Sequence, residues 1–186
     1  MSWTQEVPHT SLEFIRQLNI PANAPIIDIG GGESNLAGHL LAAGYTDVTV
    51  LDISAQALER AKARLGEKAN LVKWIVTDIT AFRPTRTYAV WHDRAAFHFL
   101  TAAADIDVYL DTAAKAIDGY LVIGTFSDNG PDKCSGLTIK KYSEEAMTRQ
   151  LEPFFVKVRC LTEDHTTPFN TRQNFLFCSF KKIQAT

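Results

Sequence analysis

Three titratable residues, His92, Asp93 and Arg94, follow one another directly after the short apolar run Tyr88–Trp91. A run of this length and composition predicts a buried strand, so the triplet would stand at the carboxyl end of that strand. Ligands of open α/β sheets bind at the carboxyl ends of the strands. Because three such side chains are costly to bury without partners or a chemical task, we interpret the triplet as the lining of a reaction site.

His92, Asp93 and His98 are the candidate catalytic residues of this segment. An imidazole titrates near neutral pH, so either histidine could take a proton from an amine, hydroxyl or thiol, and Asp93 could orient either ring. Arg94 could hold a carboxylate of an acceptor or of a cofactor. One helical turn would place Arg94 and His98 on the same face. A partly buried histidine without a chemical task is the alternative for His98.

A glycine turn, Gly30 to Gly32, follows the apolar run Ile26–Ile29 and leads into a predicted helix and a second strand. Glycine lets the backbone turn sharply and approach a ligand closely. The second strand ends at Asp52, where a carboxylate can accept hydrogen bonds from both hydroxyls of a ribose. The pattern predicts a nucleoside-binding half-domain, with an ordinary glycine-rich turn as the alternative.

The positions of the acidic residues and glycines favour S-adenosylmethionine over a dinucleotide. Asn35 stands where the dinucleotide fingerprint needs its third glycine, and Asp28 beside the turn would repel a pyrophosphate. A ligand with a cationic head would be attracted instead. S-adenosylmethionine has an ammonium and a sulfonium group, together with a ribose for Asp52.

The stretch resembles the class I S-adenosylmethionine-dependent methyltransferases, whose first motif is acid-x-Gly-x-Gly and whose second ends in an acid. Asp28, Gly30, Gly32 and Asp52 match these motifs, while Ser34 replaces a frequent third glycine. The resemblance implies cofactor contacts from the four matching residues. It implies the same for four further positions, namely Ile53, Asp78, Ile79 and His92.

Asp78 and Ile79 follow the third predicted strand, Val72–Val76. In the family, an acid at this place binds the adenine amino group, and the next backbone amide faces the ring. The resemblance therefore implies an adenine contact. A simple turn aspartate is the alternative for Asp78.

A narrower resemblance, over nearly the whole chain, is to small single-domain bacterial methyltransferases of unassigned substrate. The segments that carry it are Trp91-His92-Asp93-Arg94-Ala95, Lys133-Cys134-Ser135-Gly136 and His165-Thr166-Thr167-Pro168-Phe169. It makes Arg94, Cys134 and His165 candidates for the substrate side. The chain is more remotely similar to tellurite-resistance-type and citrate synthase-lysine-type methyltransferases. No Asn-Pro-Pro-Tyr-like tetrapeptide follows the fourth strand, which argues against base or glutamine methylation.

The fold class is predicted as α/β, a Rossmann-like seven-stranded sheet with helices on both faces. Phe154–Leu161 alternates apolar and basic residues, whereas Phe175–Phe180 is largely apolar throughout. The last strand should therefore be interior and the penultimate one at the edge. This agrees with the order 3-2-1-4-5-7-6 of the methyltransferases, with strand 7 antiparallel. Residues 1–186 are expected to form a single domain, comprising an N-terminal helix and lid (1–20), a cofactor-binding core (26–126) and a substrate-side part (127–186).

Composition excludes several classes of partner. The chain has 186 residues and a formal net charge of −2, with dispersed basic residues, so we expect no nucleic-acid partner. No apolar run approaches a membrane span, and we expect no secretion signal. The three cysteines are far apart in sequence and show no disulfide or zinc pattern, which predicts free thiols in a cytoplasmic protein. No metal site is expected, because Cys178 belongs to an apolar strand.

The predicted function is S-adenosylmethionine-dependent methyl transfer to a small-molecule nucleophile. A protein-lysine methyltransferase is the alternative, and it would show an acidic exposed groove and an open site. The second alternative is a non-catalytic module that binds S-adenosylmethionine. It would be supported if the triplet His92, Asp93 and Arg94 were held in structural pairs that face away from the cofactor.

Overall fold

The computed structural model describes residues 6–166 and 172–184. The strands of this part of the chain are β1 (Ile26–Ile29), β2 (Val48–Asp52), β3 (Val72–Val76), β4 (Tyr88–Arg94), β5 (Ile117–Phe126), β6 (Lys133–Cys134), β7 (Leu137–Thr138), β8 (Phe155–Thr166) and β9 (Arg172–Lys182). The α-helices are α1 (His9–Gln17), α2 (Leu36–Ala42), α3 (Ala55–Leu65), α4 (Ala103–Ala116) and α5 (Glu144–Leu151).

Seven of these strands form one mixed sheet in the order β3-β2-β1-β4-β5-β9-β8, and β6 pairs with β7 in a separate hairpin. Strands β1 to β5 are parallel, while β9 is antiparallel to both β5 and β8. Because β6 and β7 stand outside the sheet, this is the predicted order 3-2-1-4-5-7-6 with an antiparallel seventh strand. The predicted fold is confirmed.

The last two strands differ in burial as their polarity predicts. Residues 175–180 of β9 are all buried, whereas Val156 and Val158 of β8 are exposed. A strand with apolar side chains on both faces is stable only between neighbours. Strand β9 therefore lies inside the sheet, and β8 forms its edge.

Helices cover both faces of the sheet. Helices α1, α2 and α3 pack on one face through residues such as Phe14, Leu40 and Leu58. Helices α4 and α5 pack on the other through residues such as Tyr109 and Met147. Burial of each large apolar side chain contributes about 1.5–3 kcal/mol, so this packing holds the carboxyl ends of β1 to β5 at one common edge.

Two of the cysteines are paired, contrary to the expectation of free thiols. Cys160 on β8 and Cys178 on β9 are register partners with Cα atoms 4.1 Å apart, and a disulfide joins them. Cys134 is free and buried. The pairing depends on the register of two antiparallel strands, which spacing in the sequence does not reveal. The expectation of a cytoplasmic location loses this support.

Within residues 6–166 and 172–184, no helix is long and apolar enough to cross a membrane.

Candidate active site

The glycine turn after β1 is closely surrounded by side chains. Gly30 has a φ of 68°, in the left-handed region, and a Cβ there would lie 2.9 Å from Cβ of Ala96. A Cβ on Gly31 would lie 2.4 Å from Oδ2 of Asp28. Such distances are too short for real Cβ contacts. Only glycine therefore lets the backbone pass between the carboxylate and the turn that follows β4.

Asp52 connects the end of β2 to this turn. Its Oδ2 accepts a hydrogen bond from the backbone N–H of Gly32 (2.9 Å), and its Oδ1 accepts one from the N–H of Ser54 (2.8 Å). A carboxylate has about four lone-pair positions, so each oxygen can also accept a ligand hydroxyl. The neighbouring Ile53 is 68% exposed and offers an apolar surface beside the carboxylate.

Asp78 stands at the same edge of the sheet, after β3. Its Oδ1 accepts hydrogen bonds from both the backbone N–H (2.8 Å) and the hydroxyl (2.7 Å) of Thr80. The carboxylate therefore shapes a turn, as the alternative interpretation expected, and it is also exposed. Ile79 is half-buried against the core below. An adenine contact from Asp78 and Ile79 stays a prediction.

His92 is fixed from both sides in the interior. Strand β4 continues through Arg94, so His92 is a strand residue and is paired in register with Asp28 of β1. Its Nδ1–H donates to Oδ1 of Asp28 (2.7 Å), and in the neutral ring its Nε2 accepts from the hydroxyl of Ser11 (2.9 Å). All three side chains are 2% exposed or less.

Ser11 was missed by the sequence interpretation. It lies on α1, three and four residues before Phe14 and Ile15, and all three are buried. The signal that could have found it is a small polar residue on the apolar face of an amphipathic helix.

Asp93 faces the opposite side of the sheet from His92. Its Oδ1 accepts from the backbone N–H groups of Ala96 and Phe97 (3.0 Å each), and its Oδ2 accepts from the hydroxyl of Tyr109 (2.8 Å). Burial, only partly offset by these bonds, raises the pKa of Asp93 to about 6. The expectation that Asp93 orients a histidine is wrong, because side chains alternate along a strand.

The hydrogen bonds that Asp93 accepts from Ala96 and Phe97 hold an unusual turn. Ala95 has a φ of 66°, and its N–H donates to the carbonyl of Gly124 (2.8 Å). A non-glycine residue in this region is uncommon and strained. The turn brings Ala96 against Gly30, so Asp93 shapes one wall of the glycine turn from the far face of the sheet.

Arg94 returns to the face of His92. Its guanidinium carbon lies 5.6 Å and 6.0 Å from the ring centres of Phe175 and Phe177. Burial lowers the pKa of Arg94 to about 10, while Glu163 and Asp28 oppose this shift. The side chain is thus a cation at neutral pH, held against aromatic rings.

His98 lies in a short 3-10 turn, and its side chain is fully buried. The ring centre is 4.7 Å from that of Phe99 and 4.9 Å from that of Phe126. Neither ring nitrogen has a hydrogen-bond partner among the described residues. Burial lowers the pKa of His98 to about 4, so the ring is neutral at pH 7. The predicted helical turn from Arg94 to His98 is wrong, because β4 and the left-handed Ala95 intervene.

Of the two remaining substrate-side candidates, the structure describes the side chain of Cys134, which belongs to the same buried apolar cluster as Ala95 and Phe126. Cys134 is buried in the β6–β7 hairpin, and burial raises the pKa of its thiol, so it is uncharged at neutral pH. His165 belongs to β8, and its side chain lies outside the part that the structure describes, as do residues 167–171. In the described residues no group of three or more His, Cys, Asp or Glu side chains could hold a metal ion.

Comparison with known proteins decides the family. The family model described as a methyltransferase domain matches residues 26–118, half of the chain. The chain belongs to this methyltransferase family. Among curated proteins, none matches it significantly.

Several solved structures share the fold of this methyltransferase. The N-methyltransferase NodS from Bradyrhizobium japonicum WM9 is 19% identical over 95% of this chain and 96% of its own, with a TM-score of 0.73. The 1,6-didemethyltoxoflavin-N1-methyltransferase of Burkholderia thailandensis is 18% identical over 95% of this chain and 78% of its own, with a TM-score of 0.74. The glycopeptide N-methyltransferase MtfA is 13% identical over 94% and 89%, with a TM-score of 0.71. The predicted family, class I S-adenosylmethionine-dependent methyltransferase, and its cofactor are confirmed.

The residues of this methyltransferase fit S-adenosylmethionine. The glycine turn is a cradle that a side chain at Gly31 would fill. Oδ2 of Asp28 is buried and has no hydrogen-bond partner among the described residues, which suits a cationic donor. Asp52 offers acceptors for a ribose beside the apolar surface of Ile53.

Proposed function

We propose that this methyltransferase transfers the methyl group of S-adenosylmethionine to a nucleophilic atom of a small molecule, with residues 1–186 acting as one domain. The observation that carries the cofactor site is the buried Oδ2 of Asp28 against the glycine turn. A small acceptor is supported by similar folds whose names refer to methylation of 1,6-didemethyltoxoflavin and of a glycopeptide. The alignment with NodS covers 95% of this chain and 96% of NodS, so the two chains share the fold over nearly their whole given lengths.

Each end of the cofactor has proposed partners at this edge of the sheet. Asp28, with Gly30 and Gly32, receives the ammonium group, and Asp52 receives the ribose hydroxyls. The adenine ring is proposed to lie beside Ile53, Asp78 and Ile79. When bound, S-adenosylmethionine supplies a methyl group activated by its sulfonium.

His92 and Asp93 are proposed as positioning residues rather than bases. Each is fully engaged in buried hydrogen bonds to other parts of the protein. Alignment of the two reactants can supply a large share of the rate of a displacement, about 7–11 kcal/mol in favourable cases. Two side chains that fix the walls of the cofactor site therefore contribute to the reaction without touching the acceptor.

His98 is proposed as the residue that contacts the acceptor, and because its ring is fully buried, acceptor binding must open its packing against Phe99 and Phe126. Its ring nitrogens have no partners among the described residues, and its lowered pKa makes it a weak base. It is therefore suited to accept a hydrogen bond from an N–H or O–H of the acceptor, not to store its proton. If so, His98→Asn should lower kcat, and the pH–rate profile should have no inflection near pH 6.5 from this residue. An inflection there that disappears in His98→Asn would contradict this assignment.

The test is a calorimetric titration of the wild type and Asp52→Ala with S-adenosylmethionine, S-adenosylhomocysteine and NAD. Micromolar binding of the first two, lost in the variant, is expected. Small amines, hydroxyl compounds and thiols are then incubated with the wild type and S-adenosylmethionine, and S-adenosylhomocysteine release is measured. Failure of both adenosyl compounds to bind folded wild-type protein would overturn the proposal.

The second candidate is a binding module without catalysis. The buried hydrogen bonds of His92 and Asp93 favour this module, because neither side chain is available to an acceptor. Tight cofactor binding with no turnover on any acceptor, including a lysine-containing peptide, would support this module. Turnover on the peptide alone would instead support a protein methyltransferase.

A further inference from the structure

A buried chain of hydrogen bonds connects the N-terminal helix to the glycine turn. The hydroxyl of Ser11 lies 2.9 Å from Nε2 of His92, whose Nδ1 lies 2.7 Å from Oδ1 of Asp28. The chain joins α1, β4 and β1, and Ser11 is 81 residues from His92 in sequence. We call these three residues the Ser11 relay.

The order serine, histidine, aspartate occurs in hydrolases, but the setting here differs. Ser11 is 1% exposed, and its hydroxyl is covered by the helix that carries it and by the imidazole. A nucleophilic serine must face a substrate and a pair of oxyanion donors. The arrangement is therefore suited to positioning and not to acyl transfer.

The far end of the relay is the part of Asp28 that faces the cradle. Its Oδ1 is taken by His92, while Oδ2 lies against Gly31 and has no hydrogen-bond partner among the described residues. A buried acceptor without a partner is costly, and a cationic donor would satisfy it. On the proposed cofactor site, from which this inference follows, that donor is the ammonium group of S-adenosylmethionine.

Besides the apolar packing of Leu12, Phe14 and Ile15, the other polar contacts of α1 with β8 lie at or near the surface. Arg159 of β8 lies 3.1 Å from Oε1 of Glu13 and packs its guanidinium 4.8 Å from the ring centre of Phe14. Thr10 donates to Glu163 at the same edge. Exposed ion pairs contribute little, about 0–1 kcal/mol. The buried Ser11 relay is the link that leads from α1 to the glycine turn.

We propose that Ser11 is a positioning residue that couples the docking of α1 to the binding of the cofactor's ammonium group. With α1 docked, Ser11 fixes the ring of His92, which in turn fixes the carboxylate of Asp28. Without Ser11 the ring can rotate, and Oδ2 loses its orientation toward the cradle. Coupling between two sites is reciprocal, so cofactor binding must also stabilise the docked helix.

The experiment compares two ligands that differ in the amino-acid part. S-adenosylhomocysteine carries the ammonium group, and 5′-deoxy-5′-methylthioadenosine lacks it. Calorimetry should show that Ser11→Ala lowers the affinity for S-adenosylhomocysteine about tenfold. The affinity for 5′-deoxy-5′-methylthioadenosine should change less than about twofold. Hydrogen exchange should show that S-adenosylhomocysteine protects residues 9–17 in the wild type and not in Ser11→Ala.

Arg159→Gln is the matched control, because it removes a surface contact of α1 and leaves the relay intact. It should retain the wild-type affinity for both ligands and the protection of α1. Ser11→Cys, which keeps a weak hydrogen-bond donor on a somewhat larger side chain, should fall between the wild type and Ser11→Ala. It also serves if the alanine variant does not fold, which circular dichroism would show.

Unchanged S-adenosylhomocysteine affinity in a folded Ser11 variant would overturn the inference. An equal loss of affinity for both ligands would also overturn the inference, because that pattern indicates that Ser11 has only a structural role. If the wild type binds neither ligand, the proposed function fails and the inference fails with it. If the wild type binds S-adenosylhomocysteine and the Ser11 variant binds it equally well, the inference fails while the proposed function stands.

Discussion

The hydroxyl of Tyr109 donates to Oδ2 of Asp93 and accepts from the indole N–H of Trp91, at 2.8 Å and 3.0 Å. The three side chains are buried on the face opposite the Ser11 relay. Through Asp93 they hold the turn at Ala95 and Ala96 that touches the glycine turn. Each face of the sheet thus contributes one polar network to the walls of the proposed cofactor site.

Tyr109→Phe should destabilise the protein. It removes one donor and one acceptor, which leaves Oδ2 of Asp93 and the indole N–H of Trp91 without their partner in the interior. The cost of such unpaired groups is about 1–3 kcal/mol, which urea denaturation would measure. Tyr120→Phe, at a half-buried position on β5, is the control and should change the free energy of unfolding by less than about 0.5 kcal/mol. Equal effects of the two substitutions would contradict the buried network.

Asp93→Asn should change the pH dependence of stability. The pKa of Asp93 in the folded protein is about 6, above the ordinary value of 3.8, so the folded state binds the proton more tightly. The contribution of the protonated Asp93 carboxyl to the free energy of unfolding is complete below about pH 4 and is lost as the pH rises through 6. The wild type should therefore lose about 2–3 kcal/mol relative to the variant between pH 4 and pH 7. Urea denaturation at both pH values tests this, and a constant difference would contradict the raised pKa.

Gly31→Ala should strongly weaken cofactor binding. The new Cβ would lie 2.4 Å from Oδ2 of Asp28 and 2.9 Å from Cγ1 of Val50, so the turn or the carboxylate must shift. We expect a loss of S-adenosylhomocysteine affinity of more than about tenfold by calorimetry. Gly38→Ala in α2 meets only the flexible end of Leu65 at 3.0 Å, and helix propensity favours it. Its affinity should be unchanged, and a parallel loss in both variants would point to general damage.

The disulfide can be tested by counting thiols. Protein unfolded without reductant should show one reactive thiol, Cys134, and three after reduction. Because Cys160 and Cys178 are 18 residues apart, reduction should cost about 3 kcal/mol and lower the Tm. Three thiols in the unreduced protein would show that the pair is not bonded. Cys134→Ser should show none without reductant.

Features set by neighbouring residues could be read from the sequence. The apolar run, the glycine turn and the acid at the end of β2 follow one another in the chain, and their backbone requirements are local. The polarity of Phe175–Phe180 predicted an interior strand, because burial of both faces excludes charged residues. These local patterns carried the resemblance to the methyltransferase family, and the resemblance implied the strand order and the cofactor.

The roles within the triplet His92, Asp93 and Arg94 depended on where β4 ends. A strand through Arg94 sends neighbouring side chains to opposite faces, whereas a loop does not. The prediction stopped the strand at Trp91 and so placed all three residues in one site. No local signal distinguishes these cases, because polar residues in a strand look like the start of a loop.

What the sequence by itself determined is the main strands and helices of the α/β core and the interior position of the last strand, while the family resemblance supplied the strand order and the cofactor. What only the tertiary structure decided is pairing: Ser11 with His92, Tyr109 with Asp93, and Cys160 with Cys178. Burial periodicity is a property of a segment, so it can be read along the chain. A hydrogen bond or disulfide between distant residues requires that packing and strand register first bring the two side chains together.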